Sequence, residues 1–332
     1  MASGVTRIAL DGMGGDHAPR EIVAGALRAL EHDNVEIILV GREEELRAAM
    51  PERPGGNSRV SFHHAADVIP MHARFSEAWA AKDTSITAAT RLVKEGKAEA
   101  VVSAGNTGAA VAAALRLLGR LKGVERPAIL TVLPTVGRGE VALVDSGANV
   151  DCKPCHLLEF AKMGYVYMKE AMGCENPTVG LLNIGEESCK GNELAREAYR
   201  LLSESGLPFV GNVEGNRLFA GDCRVAVCDG FVGNVVLKGM EGCAEFALEE
   251  LTAAMGEAAS AGLLPQAAVE KVLRTMQRRV HYAGHGGALL VGVDGVCIIC
   301  HGRSNRAAIE SAIRAARRAV GSGFVNKTRL VV

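Results

Sequence analysis

Aromatic side chains are scarce in this 332-residue chain. They make 4% of it, with a single tryptophan, Trp79. That scarcity argues against a platform on which nucleobases stack. An excess of charge is missing as well. The formal net charge is −1, so the sequence carries no overall electrostatic footprint for nucleic acid. No apolar run reaches the ~20 residues that a bilayer-spanning helix needs. The opening MASGVTRIALD has no apolar signal region and enters a strand pattern at once, so a cytoplasmic protein is expected. The nine cysteines are odd in number and scattered through apolar runs, a usage that fits reduced thiols rather than a disulfide framework. Two C-x-x-C pairs occur, Cys152/Cys155 and Cys297/Cys300, the second followed by His301. The second pair nominally matches a c-type haem attachment, yet VCIIC reads as a buried β-branched strand. A shared zinc site would require two distant segments to meet. Both pairs are therefore read as buried small hydrophobes.

Apolar residues and glycine are plentiful, at 48% and 39 residues. The most informative stretch covers residues 98–119, AEAVVSAGNTGAAVAAALRLLG. A short apolar run, residues 98–102, reads as a buried strand. Ser103 to Gly108 is small and turn-prone, and residues 109–118 are almost all helix formers. The first turn of such a helix leaves backbone N–H groups unpaired, and its dipole makes that end positive. With Ser103, Asn106 and Thr107 adding polar side chains, an oxyanion such as phosphate fits there. The alternative is an ordinary strand-to-helix turn capped by Asn106 or Thr107.

The same pattern recurs along the chain. A strand at residues 5–10 runs into Asp11-Gly12-Met13-Gly14-Gly15-Asp16-His17-Ala18-Pro19. Pro19 suits the first turn of a helix there. His17 is a candidate acid–base group or a cap. A polar, irregular connection spans residues 65–83. Strands at 127–133 and 141–144 precede the loop Asp145 to Asp151, and a helix follows over 154–172. A strand at 178–183 precedes the loop Ile184 to Asn192. Further strands at 209–213 and 224–228 lead to Asp229-Gly230-Phe231-Val232-Gly233-Asn234. Strands that repeatedly feed glycine-rich loops and helices point to an α/β sandwich around a mostly parallel sheet. No linker marks a boundary, so residues 1–332 are expected to form one unit.

Residues 240–282 differ from the rest. A long helix at 240–254 is followed by the turn Gly262-Leu263-Leu264-Pro265 and a basic amphipathic helix at 266–280 with Lys271, Arg274, Arg278 and Arg279. That excursion suits a membrane surface, an acidic partner or an ordinary core face. A hairpin across Asp294-Gly295 and a last helix with Arg306, Arg314, Arg317 and Arg318 complete the chain.

Taken together, IALDGMGGDHAP, VSAGNTGA, DSGANVDCKP, LLNIGEESCKGNEL and VCDGFVGNVVLKGMEG resemble, in this order, the loops of the PlsX family. These are bacterial phosphate acyltransferases of phospholipid synthesis. The resemblance runs from about residue 8 to residue 304. It implies a three-layer α/β/α sandwich with a mixed sheet, like isocitrate and isopropylmalate dehydrogenases and phosphotransacetylase. It implies transfer of a fatty acyl group from acyl–acyl carrier protein to inorganic phosphate, giving acyl phosphate for a glycerol-3-phosphate acyltransferase. It further implies a homodimer that meets the inner face of the plasma membrane peripherally, with no metal or organic cofactor. One segment departs from the family: residues 280–290 lack its acidic residues and its proline.

The reaction asks mainly for positioning and oxyanion stabilisation, since phosphate is already anionic and a thiol is a good leaving group. The chain has no Gly-x-Ser-x-Gly elbow. Lys190, Asn234, Lys238 and Asn106 are the candidate catalytic residues. Asp11, Gly14, Gly15, Asp16, His17, Ser103, Gly105, Thr107, Gly108, Asn149 and Asp229 are the candidate substrate-binding residues. The basic helices at 271–279 and 306–318 suit an acidic carrier protein. The alternatives are an acyl-CoA-dependent phosphate acyltransferase, an NAD- and metal-dependent dehydrogenase on the shared fold, and a non-catalytic membrane scaffold that binds carrier protein. The aspartate cluster of the dehydrogenase is not evident.

Overall fold

Strands covered by helices on both sides must be apolar on both faces, and the sequence supplies such runs. In β1 (Thr6–Asp11), Ile8 and Leu10 enter one core and Ala9 the other. The same period-two alternation repeats in β2 (Val35–Gly41), where Ile37 and Leu39 oppose Val40, and in β4 (Ala100–Ser103), where Val102 opposes Val101. The computed structural model describes residues 4–51, 58–80, 83–280 and 286–332. Its other strands are β3 (Val60–His64), β5 (Ala128–Pro134), β6 (Glu140–Val144), β7 (Val179–Asn183), β8 (Phe209–Glu214), β9 (Val225–Val227), β10 (Ala288–Val291) and β11 (Val296–Ile299). They join one sheet of order β3-β2-β1-β4-β11-β10-β5-β6-β9-β7-β8.

Pairing within β3-β2-β1-β4-β11 is parallel, and so is pairing within β6-β9-β7-β8. Between them, β10 and β5 make three antiparallel junctions. The two parallel halves therefore run in opposite directions, and the sheet is mixed but mostly parallel, as the alternation of elements predicts.

Helices cover both faces. One core takes residues of α1 (Arg20–His32), α6 (Pro154–Glu170), α7 (Glu193–Glu204) and α10 (Arg306–Gly321). Across the sheet lie α4 (Ser85–Lys94) and α5 (Thr107–Leu117), together with the start of α8 (Gly230–Ser260). Five helices carry their own stop on fraying: Thr84, Asn106, Asn192, Asp229 and Asn305 accept a backbone N–H of the first turn, satisfying donors that the helix itself leaves free.

Several expectations are corrected. The connection at 65–83 is not wholly irregular, since α3 (Phe75–Ala80) forms within it and packs on α5. The long helix expected at 240–254 begins already at Gly230 and continues to Ser260. Gly239 and Gly242 each cost roughly 1 kcal/mol against alanine, too little to stop a helix that carries no break signal. It turns at Gly262 into α9 (Gln266–Val280), which packs back on it. Beyond Leu237, α8 has no buried residue. Residues 281–285, part of the segment that departs from the family, lie outside the described residues. Two further short helices are α2 (Glu43–Ala48) and α11 (Phe324–Thr328).

The basic face expected on α10 is largely answered within the chain. Arg306 pairs with Glu21 at 2.6 Å, Arg317 with Asp33 at 2.8 Å, and Arg314 with both Asp33 and Glu310. These guanidiniums bind α10 to α1, so the sequence pattern overstates the free positive charge there. Among the described residues, no helix is long and apolar enough to cross a membrane.

Candidate active site

At the carboxyl end of β1, Asp11 is buried against the end of β4. Ser103 Oγ donates to Asp11 Oδ2 at 2.7 Å and accepts the Gly105 amide at 3.0 Å. The Met13 amide donates to Asp11 Oδ1. Burial pushes the Asp11 carboxyl above its ordinary range, while Ser85, Ser103 and the amides of Met13 and Gly14 pull it back. Gly14 is obligatory here for space: a Cβ would stand 2.6 Å from Asp11 Oδ2 and 2.7 Å from the Gly105 nitrogen. Asp11, Gly14, Ser103 and Gly105 thus converge as expected, and Ser85, the first residue of α4, joins them unpredicted.

The neighbouring residues do other things. Asn106 caps α5 by accepting the Ala109 amide at 2.9 Å, and its amide nitrogen holds the carbonyls of Met71 and Ala73. With acceptor and both donors engaged, Asn106 works as a clasp between α5 and the 65–80 connection. Thr107 is exposed, and the amides of Thr107 and Gly108 have no partner among the described hydrogen bonds. They are the donors a helix N-terminus offers to an anion. Asp16 and His17 stand exposed at the edge, where the Asp16 amide donates to the Gly302 carbonyl, and Gly15 fits between that carbonyl and Ala104.

A second cluster forms after β6. Asp145 is fully buried. Its Oδ1 accepts the amides of Ile129, Gly147 and Ala148, and its Oδ2 accepts both nitrogens of Asn149. Burial raises its carboxyl from the ordinary value against these donors. Sequence reading placed Asp145 in a polar loop without giving it a task. Its signal was there: an acid followed by small residues, the usual pattern of a side chain that closes its own turn. Asn149 is locked by this network, since it also donates to the Pro127 carbonyl and accepts the Gly230 amide. Asp229 caps α8 through the Val232 amide at 2.8 Å. Gly233 lies so close that a Cβ would collide with the Asp145 carbonyl oxygen. Asn234 is exposed beside Gly147, with no hydrogen bond to its amide among the described residues.

The two clusters share a level of the sheet but not a point. Ser103 pairs with Ile299, and Ile299 with Ala288; the next rung is Leu289, Leu130 and Val144. At about 4.8 Å per strand, the four steps from β4 to β6 span roughly 19 Å. The second loop leans back toward the first, since Ala148 packs on the core beneath α5. Lys190 and Lys238 stand further out. Lys190 Nζ is half-exposed, 3.9 Å from Glu187, and Lys238 pairs with Glu241 at 2.7 Å. No described hydrogen bond or ion pair joins either lysine to the Asp11 cluster, so the residues expected together form two separate groups, a first wall around Asp11 and a second around Asp145. Beside the second wall, a cavity of 430 Å³ opens between α6, α7 and α8, edged by Asn183, Asn192 and Asp229.

Residues 6–327 match the sequence model of a family described as fatty acid synthesis protein. A phosphate acyltransferase of Pelotomaculum thermopropionicum is 50% identical over 327 residues, covering 97% of this chain and 94% of that one. The chain belongs to the phosphate acyltransferase family. A member from Cyanothece is also 50% identical, over 95% of this chain and 92% of its own. Among solved structures, a EutD phosphotransacetylase from Staphylococcus aureus superposes with a TM-score of 0.61 at 16% identity, covering 95% of this chain and 94% of that one. A 4-hydroxythreonine-4-phosphate dehydrogenase from Klebsiella pneumoniae follows at 0.52 and 13%, covering 96% and 98%. These likenesses establish the fold that the loop motifs imply, shared by phosphotransacylases and a dehydrogenase.

Two groupings in this family member have ligand-like residue types. Cys297 and Cys300 enter opposite cores of the sheet, and burial pushes both thiols up to about 12, so they cannot hold one ion between them. His156 accepts the Lys153 amide at Nδ1 and faces Glu125 through Nε2 at 3.0 Å. Both ring nitrogens are engaged, although Cys155 lies near enough to make a three-ligand set with them.

Proposed function

We propose that the protein transfers a fatty acyl group from acyl–acyl carrier protein to inorganic phosphate, yielding acyl phosphate for phospholipid synthesis. The observation that carries this reading is the half-identical match to phosphate acyltransferases along nearly the whole chain. It is supported by an architecture rich in oriented amides and poor in any nucleophile–base pair.

In this reading phosphate sits at the open first turn of α5, held by the amide and hydroxyl of Thr107 and by the Gly108 amide. Asp11 and Ser103 fix the loop behind it, and Asp16 and His17 border it. The thioester lies toward Gly147 and Asn234. A phosphate oxygen attacks the thioester carbon, the C–S bond breaks, and the proton of hydrogen phosphate passes to the departing thiolate. Acyl phosphate and carrier thiol leave. The work is positioning two reactants and stabilising the carbonyl oxyanion, which such donors do well in a water-poor cleft. Asn234 carries the unengaged amide suited to that oxyanion. Lys190 supplies positive charge to the same wall, and Lys238 backs it. Asn106 and Asn149 act through the loops they lock. An acidic carrier protein would meet the α9 side, where Lys271 is exposed, more than the self-paired α10. Dimerisation and contact with a membrane through the α8–α9 turn belong to the same proposal.

The test is phosphate-dependent release of carrier thiol from palmitoyl–acyl carrier protein, with acyl phosphate trapped as hydroxamate. Release that needs phosphate and yields hydroxamate is expected. Release from acyl-CoA at equal or higher efficiency would change the donor. No release from either donor by folded protein would end the transferase reading.

A further inference from the structure

We propose that the cavity between α6, α7 and α8 is the acyl-chain site and that Ala195 and Val232 help set chain length. The proposal rests on the acyl-transfer reading. The cavity lies outside the carboxyl ends of β7, β8 and β9, the place where open α/β sheets take ligands. Its wall is aliphatic: Leu157 from α6, Leu181 from β7, Leu194 and Ala195 from α7, Val232 and Val236 from α8. Its 430 Å³ falls within the range of small-molecule sites.

The polar groups at its edge are already employed. Asn183 donates to the Lys190 carbonyl and to Asn212, and accepts the Ile184 amide. Asn192 caps α7 through Ala195, and Asp229 caps α8 through Val232. A nucleotide or sugar would find few open partners inside, whereas a hydrocarbon needs none. The lip is greasy too, with Ile184 80% and Val232 37% exposed. Exposed aliphatic side chains around an aliphatic cavity favour an apolar ligand over a solvated one. Position supports the same occupant. The first turn of α8 carries Asn234 toward the reaction cleft and Val232 toward this cavity, so a thioester beside Asn234 would have its chain leading in.

The experiment uses the full-length protein, wild type and two variants, Ala195→Phe inside the cavity and Val232→Trp at its exposed lip. Binding of cis-parinaric acid is read by fluorescence, and turnover is compared on palmitoyl– and octanoyl–acyl carrier protein. Expected are at least tenfold weaker probe binding and at least a tenfold fall in the palmitoyl-to-octanoyl ratio. Val232→Trp keeps the test alive if the inner variant does not fold. Unchanged probe binding and unchanged chain preference in an active enzyme would overturn the site and leave the transferase reading standing. Weakened probe binding in a protein without phosphate-dependent turnover would do the reverse. A variant that alters the oligomeric state while binding the probe normally would assign the cavity to a second copy of the chain and overturn the proposal.

Discussion

The two walls of the cleft are built by opposite means. The first wall closes on itself: Gly14 and Gly105 pack backbone against backbone, Ser103 and Ser85 converge on Asp11, and little room is left. What it presents outward is a helix end with spare N–H groups. The second wall is a frame around space. Asp145 gathers five N–H donors into a rigid corner, and beside it the strand ends open into an aliphatic cavity. A small anion needs oriented dipoles at short range, whereas a hydrocarbon needs volume without polar partners. Under the proposed reaction, the first wall suits the phosphate and the second the acyl chain.

The largest way to break this comparison is Asp145→Ala. It leaves four backbone amides and the Asn149 side chain without their acceptor in a buried corner. Each orphaned donor costs on the order of 1–3 kcal/mol, and partial relaxation of the loop recovers some of that. A loss of about 4 kcal/mol or more is expected, read by denaturant unfolding. Asn234 and Asp229 would lose their register because Gly233 rests on the Asp145 carbonyl. Stability within 1 kcal/mol of wild type would show that the corner does not depend on this carboxylate.

Lys190→Ala comes next. The side chain is half-exposed and 3.9 Å from its nearest acid, so its removal should leave the fold intact. Turnover should fall about a hundredfold, equivalent to roughly 2.7 kcal/mol of lost transition-state stabilisation. Single-turnover rates with saturating acyl donor would measure it. Wild-type turnover would remove Lys190 from the mechanism and reduce the second wall to a binding surface.

Much of this arrangement was legible in the sequence, for identifiable reasons. Buried strands announce themselves as apolar runs, and glycine loops after them mark the carboxyl edge, so β1, β4 and their loops could be read before any geometry. The caps at Thr84 and Asn106 follow from side-chain chemistry alone. Pairing order is a different matter. The Asp294-Gly295 hairpin announces one reversal, β10 against β11, but nothing local in β5 or β6 says that these strands complete it, and that reversal is what separates Ser103 from Lys190. Local chemistry also hides employment. Asn106 looks like a ligand by type, yet its partners, the carbonyls of Met71 and Ala73, come from a distant connection that carries no motif. The arginines of α10 looked free for the same reason, since Glu21 and Asp33 belong to α1.

Ser103→Ala probes the first wall. It removes the donor to Asp11 Oδ2 and the acceptor of the Gly105 amide, leaving buried polar groups unpaired at a cost of about 2 kcal/mol. The expected kinetic signature is a raised KM for phosphate with little change in chain-length preference. A shifted chain preference with an unaltered phosphate KM would interchange the roles of the two walls.

The smallest effect concerns the support behind that first wall. Glu21, in the first turn of α1, accepts the Arg306 amide and guanidinium. Those bonds lower its carboxyl from 4.5 to about 2. A carboxyl held low in the folded state stabilises the fold at pH above the unfolded value of 4.5, and that contribution disappears as pH falls through about 2. Because Arg306 is nearly half exposed, solvent screening limits the pair to about 1 kcal/mol or less. Glu21→Gln should therefore unfold slightly more easily than wild type at pH 7. The gap should narrow between pH 4.5 and about 2. A gap independent of pH would mean that packing of α1 on α10, rather than the charge, fixes the helix that follows the Asp11 loop.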